Sequence, residues 1–278
     1  MRNSIHFSLL SKSVTKITPR QSAIFLFTVL FSFNVQAVVF NDNTCDRILK
    51  NSEANQVCHQ ALKGDPAASY AMSRLFADSK NSPLINLEYA YFWHLKLARQ
   101  VLEQNLSDSA YTDILYNTGV LYNDGLGTQK DLKKAFFWFT KAAERGHALA
   151  MLQLSQTYFN GVIVPKDDKQ ALNWLKKSVA LNNPEAQIVM AQQYLTGNAV
   201  EQDQTKAIEL LKKAAEQNSA KANFILGNYY LANSTSLQDK LANQAKNHYG
   251  LSCKLDFLLG CKRYYDLDQP NSQKTPTE

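Results

Sequence analysis

The sequence predicts an all-α solenoid of antiparallel helix pairs, and three observations carry that reading. Tyr122, Tyr158, Tyr194 and Tyr230 are each 36 residues apart. Ala135, Ala171 and Ala207 recur with the same period, as do Asp131, Asp167, Asp203 and Asp239. Within each period, two stretches with apolar residues at helical spacing are parted by Gly125, Gly161 or Gly197. A unit of two short helices cannot bury its own apolar face, so neighbouring units must stack to share one core.

Each unit carries its own start and stop signals. Asn183-Pro184 offers a side-chain acceptor at the N-cap and proline in the first turn, where a missing N–H costs nothing. Ser219-Ala220 and Asp65-Pro66 repeat the arrangement, and His147 falls in the same column. The three glycines follow the first helix, where a left-handed residue is wanted. Asp131, Asp167 and Asp203 then cap the second helix. Gly119, Ser155, Ala191 and Gly227 form one column of small residues, and Ala150, Ala186 and Ala222 another. Small side chains allow close helix approach, while Trp138, Trp174 and the tyrosines fill the layers between pairs. Leu210 replaces the tryptophan in the third copy. Lys141, Lys177 and Lys213 sit near the second helix's C-terminus, where a cation contributes roughly 0.3–1 kcal/mol.

Regular units are expected over residues 111–146, 147–182 and 183–218. A divergent copy is expected over 64–110. There Ala90-Tyr91-Phe92-Trp93 matches Ala135-Phe136-Phe137-Trp138 at a spacing of 45, with Lys96 opposite Lys141. The nine extra residues fit a longer second helix and linker through Arg99–Ser109. Residues 219–265 form an irregular last copy and cap, with about two extra residues placed in Asn233–Gln238. Residues 38–63 read as N-terminal capping helices.

The ends carry different information. Arg2, Lys12, Lys16 and Arg20 precede an apolar run from Ala23 to Phe33, and no acidic residue occurs up to Ala37. With Val35-Gln36-Ala37 as a cleavage site, residues 1–37 read as an export signal, a retained anchor being the alternative. The run is about half the roughly 20 residues that cross a bilayer, so no stable membrane insertion is expected after cleavage. Residues 38–278 then hold 26 Lys+Arg against 24 Asp+Glu, too small a surplus for a nucleic-acid partner. Residues 266–278 read as a disordered tail.

The pattern Leu-Tyr122-Asn-Asp-Gly125-Leu-Gly, continued by Asp131-x-x-Lys-Ala-Phe-Phe-Trp138-Phe-x-Lys-Ala-Ala-x-x-Gly146, resembles the Sel-one-like repeat, a relative of the tetratricopeptide repeat. The resemblance covers about residues 64–261. It implies a right-handed superhelix and a role as an adaptor that assembles or regulates protein complexes, often at the bacterial envelope. It departs from the pattern at Leu210, in the missing glycines after Tyr230 and in the stretched first unit. Cys253 and Cys261 resemble the cysteine-rich branch of the family, where such a pair staples adjacent helices. Cys45 and Cys58 lie 13 apart across a turn. Four cysteines allow three pairings, of which Cys45–Cys58 and Cys253–Cys261 is the one expected; a metal site at Cys45, Cys58 and His59 lacks a fourth ligand.

That branch also implies an alternative, a penicillin-binding or β-lactamase-like enzyme. Serine acylation of this kind uses Ser-x-x-Lys on a helix, and the instance here, Ser13-Val14-Thr15-Lys16, falls inside the expected signal. His59, His94, His147 and His248 fall in different repeat layers and read as cap or surface residues. No catalytic residue, cofactor or metal is expected.

The expected activity is therefore that of a monomeric periplasmic adaptor for another protein or peptide, with secretion into the medium as the alternative location. Two surfaces are candidates. On the inner face of the first helices, Val120, Gln156, Gln192 and Asn228 form a row with Asn117 and Gln153 beside it. Side-chain amides there can both donate to and accept from a peptide backbone. Phe92 and Phe137 occupy a position where later copies carry Asn173 and Glu209. They form either an exposed docking patch or a site covered by Arg99–Ser109.

Overall fold

The computed structural model describes residues 41–50, 52–77, 86–106, 108–236 and 239–268. The expected signal, residues 1–37, and the tail beyond Asp268 lie outside them. All the regular structure described is helical, and thirteen helices follow one another. α1 (Asp42–Ile48) and α2 (Ser52–Leu62) precede the repeats. Five pairs follow: α3 (Pro66–Ala77) with α4 (Leu87–Glu103), α5 (Ser109–Asp124) with α6 (Leu132–Glu144), and α7 (Ala148–Asn160) with α8 (Asp168–Ala180). α9 (Pro184–Thr196) pairs with α10 (Gln204–Glu216), and α11 (Ala220–Ala232) with α12 (Lys240–Lys254). α13 (Leu258–Asp268) stands last, three residues longer than the expected start of the tail allows. Each helix packs on the next, and next-nearest helices touch directly at α7–α9 and α11–α13. On a curved stack next-nearest elements meet on the inside, so the first helices form the inner layer.

Caps set this alternation. Asp131, Asp167 and Asp203 accept the N–H three residues on, as do His147, Asn183 and Ser219 at the first helices. Asp65 does the same for Ala68. The hairpin is closed once per unit by a backbone bond, from Asp131 to Tyr122, Asp167 to Tyr158 and Asp203 to Tyr194. A second left-handed column, at Gly64, Asn105, Gly146, Asn182, Asn218 and Asp256, turns α2 and each second helix into the next first helix. Asn and Asp are the side chains that best tolerate this conformation, which is why glycine is dispensable at Asn105, Asn182, Asn218 and Asp256.

The small column works as a partner to the residue it faces. A Cβ on Gly119 would lie 2.5 Å from the Phe139 ring, and one on Gly227 would lie 2.6 Å from the Tyr249 ring. Where the small residue is Ser155 or Ala191, the equivalent residue of the second helix is Leu175 or Leu211, both buried. Glycine thus faces an aromatic ring, and serine or alanine faces leucine.

The last copy corrects the placement of its insertion. The loop before α12 keeps seven residues, as in the regular copies, and α12 itself is 15 residues long where α6, α8 and α10 have 13. The two extra residues lengthen the helix rather than the loop. His248 thereby enters the tryptophan column and stacks on Tyr230. In the first repeat, α4 has 17 residues and Gln104–Asp108 links it to α5, where Leu102 and Leu106 pack on the core around Leu97 and Trp138.

Both expected disulfides are formed. Cys45–Cys58 joins α1 to α2, and Cys253–Cys261 joins α12 to α13. They close short loops at the two ends of the stack, each worth roughly 2–3 kcal/mol by loop entropy. Beside the first, the His59 ring bridges Asp42 at 2.5 Å and Asp46 at 3.1 Å. The Asp42 bond, then the Asp46 bond, raises the His59 pKa above its ordinary value.

Candidate protein-binding face

The inner layer opens into a groove between α7 and α9. It has a volume of about 510 Å³ and is lined by amides, Gln156 and Asn160 from α7 and Gln192, Gln193 and Asn198 from α9 and its following loop. Phe159, Val189 and Ala199 supply the apolar part of the lining, the first two packed on the core beneath. Lys166 and Asp168, paired at 3.3 Å, supply the charge at the rim. Amides of this density can hold an extended backbone by reciprocal hydrogen bonds. The lining holds no serine, threonine or cysteine to act as a nucleophile beside Lys166.

Of the residues singled out from sequence, Gln156 and Gln192 line this groove together. Gln153 is partly buried on α7, and Asn117 and Val120 are partly buried on α5, with Val120 packed on the core. Asn228 is exposed on α11, but its carbonyl oxygen accepts the Tyr249 hydroxyl at 2.8 Å and is tied to α12. The row and its two flanking residues missed Phe159, Asn160, Val189 and Gln193. The signal was present: Gln156, Phe159, Asn160 and Val189, Gln192, Gln193 are each a helical stripe at i, i+3 and i+4 spacing.

The two phenylalanines part company. Phe137 is 47% exposed on α6, so the Arg99–Ser109 segment does not cover it. Phe92 is partly buried against the core formed by Met72, Phe76 and Trp93, with its ring edge-on to Trp93. The lysine column also has a use beyond the helix end. Lys96 lies over the Trp93 ring, Lys141 over Phe137 and Lys177 over Trp174, the last at 4.3 Å, which are cation–π contacts.

The histidines are held by the fold. His147 caps α7, and its other ring nitrogen faces Asp113 at 3.3 Å. His248 bonds to Asn223 through Nδ1. His94 corrects the surface-or-cap reading: it is buried and its Nε2 donates to the Ile114 carbonyl across the α4–α5 joint. Burial drives its pKa down to about 4, against a smaller opposing effect of that bond. Among the described residues, no group of three His, Cys, Asp or Glu is placed to hold a metal ion, and no helix is long and apolar enough to cross a membrane.

Stacked helix pairs with a 36-residue period and an inner groove define a helical-repeat protein of the SLR type. The Sel1 repeat model matches residues 66–101, 114–147, 148–183 and 184–219, just over half of the chain, which belongs to this family. Among solved structures, a Sel1 repeat protein from Oxalobacter formigenes is similar, with a TM-score of 0.64 and 24% identity over 85% of this chain and 91% of the other. A protective antigen of uropathogenic Escherichia coli with an SLR fold gives 0.60 and 22% identity over 85% of this chain. This chain spans about half the length of that antigen, covering 50% of it. Helicobacter pylori cysteine rich protein B gives 0.40 and 20% identity over 51% of this chain and 98% of the other. For the first two, at these identities, the likeness is one of fold. A comparison with curated protein sequences finds no significant match.

Proposed function

We propose that this chain is a non-catalytic periplasmic adaptor that, as a monomer, holds an extended segment of another protein against its first helices. The groove between α7 and α9 is the observation that supports the reading. Its amides offer donors and acceptors to a backbone of any sequence, and Phe159 and Val189 can seat an apolar side chain. Selectivity then comes from that seat and from the charged pair at the rim. Two disulfides favour an oxidising compartment, which fits export of the chain.

Placing a photo-crosslinking side chain at Gln192, in the groove, and at Lys212, exposed on α10, tests this in intact cells. A discrete crosslinked species is expected from position 192 and none from position 212. Equal crosslinking from both, or from position 212 alone, would reject the inner face as the binding surface.

A further inference from the structure

We propose that the C-terminal end of the stack docks on an anionic membrane surface. Nine large apolar side chains are exposed among the described residues, and five of them, Leu251, Leu255, Leu258, Leu259 and Tyr265, fall in one stretch of α12 and α13. The stack does not account for them. α13 packs inward through Gly260, Tyr264 and Leu267, whereas Leu258 and Leu259 are 80% and 55% exposed at its start.

These side chains are not waiting for a further repeat. By register, Tyr265 stands where Gly119, Ser155, Ala191 and Gly227 let a second helix approach the first. A tyrosine there blocks that approach. End-to-end continuation by a second copy is blocked for the same reason.

Charge selects the occupant. Lys254, Lys262 and Arg263 are exposed, the last two one helical turn from the leucines. Asp256 lies in the turn, while Asp266 sits in the last turn of α13, about 12 Å along the axis from Leu258. The leucine end is therefore basic. Exposed leucines flanked by Lys and Arg enter the boundary between headgroups and acyl chains while the cations meet lipid phosphates. Two copies meeting through this face would oppose their own cations. The leucines also protrude, which suits a flat surface better than a partner helix lying in a groove. The Cys253–Cys261 bond holds the two helix ends together as one tip.

Residues Val38–Glu278 form one compact unit, which can be tested without residues 1–37. In flotation assays this unit is expected to bind vesicles containing phosphatidylglycerol at least about tenfold better than vesicles of phosphatidylcholine alone, with the difference shrinking as salt is raised. Leu258→Ser with Leu259→Ser should cut that binding about tenfold at an unchanged melting temperature, because both side chains are exposed. Lys262→Glu with Arg263→Glu should remove the preference for anionic lipid. Absence of binding to anionic vesicles, or binding unaffected by both double variants, would overturn the proposal. A dimer broken by the leucine variant, with no vesicle binding, would assign the face to a second copy instead.

Discussion

Lowering the pH from 6.5 to 4 is expected to cost the folded chain about 3 kcal/mol through His94 alone. The sign follows from its surroundings. His94 is buried in the joint between α4 and α5, and burial holds its pKa near 4 against an ordinary 6.5. Between those values the unfolded chain binds a proton that the folded chain refuses. Stability is full above pH 6.5 and falls as the pH drops, by at most about 1.4 kcal/mol per unit. His248, whose pKa burial and then Lys212 push down, adds in the same direction. His59, raised by Asp42 and Asp46, acts oppositely, its contribution being present below pH 6.5 and lost as the pH rises through its folded value. The capping carboxylates Asp131, Asp203 and Asp239, lowered from 3.8 mainly by backbone N–H groups, matter mostly below this window.

Urea midpoints at pH 7, 5.5 and 4.5 measure the effect. His94→Leu is the informative variant because the fold already contains its solution. By register His94 is equivalent to Leu175, and the Ile114 carbonyl keeps the Thr118 hydroxyl as a partner at 2.7 Å. The variant should lose most of the acid slope. An equal slope in both proteins would show that His94 is protonated freely in the folded state.

Gly119→Ala is expected to destabilise the chain by about 2 kcal/mol, although alanine is the better helix former by roughly 1 kcal/mol. The added methyl would sit 2.5 Å from the buried Phe139 ring, which must leave its place. Phe139→Leu alone should also destabilise, by about 1–2 kcal/mol, through the space it leaves. Together the two recreate the Ala191 and Leu211 pairing of the third unit, so the double variant should recover much of both losses. A coupling of about 1–2 kcal/mol in a double-mutant cycle is the expected reading. Additive losses would show that the two columns do not face each other.

These two effects mark where the sequence was legible. The period, the caps and the glycine stops could be read from it because each is a local requirement repeated in phase. The disulfide pairing came instead from the short spacing within each cysteine pair and from the resemblance to the cysteine-rich branch. Asp131, Asp167 and Asp203 cap whatever surrounds them, so their spacing alone identifies the helix starts. His94 was misjudged because residue type was weighed above column: aligned with Trp93 opposite Trp138, it falls opposite Phe139, a core position. The insertion in the last copy was placed in a loop because loops commonly absorb extra residues, but Asp239 still caps α12 and the helix lengthened instead. The groove was read too thinly, since Gln153 and Gln156 on α7 and Gln192 on α9 leave out Phe159, Asn160, Val189 and Gln193 of the same helical stripes. The apolar tip at Leu258 and Leu259 is a property of the stack's end, which no repeat pattern can announce.

Modularity of the 36-residue unit is the claim on which the rest depends, and excising one unit tests it most directly. Removing residues 147–182 joins Gly146 to Asn183 and leaves every column in phase. The shortened chain should remain helical, monomeric and cooperative in urea, with a lower midpoint slope in proportion to its smaller buried surface. Removing 147–164 takes only half a unit and should leave it unfolded or aggregated. If the in-phase deletion fails as completely as the half-unit one, the units do not stack through a shared set of columns and the account is wrong.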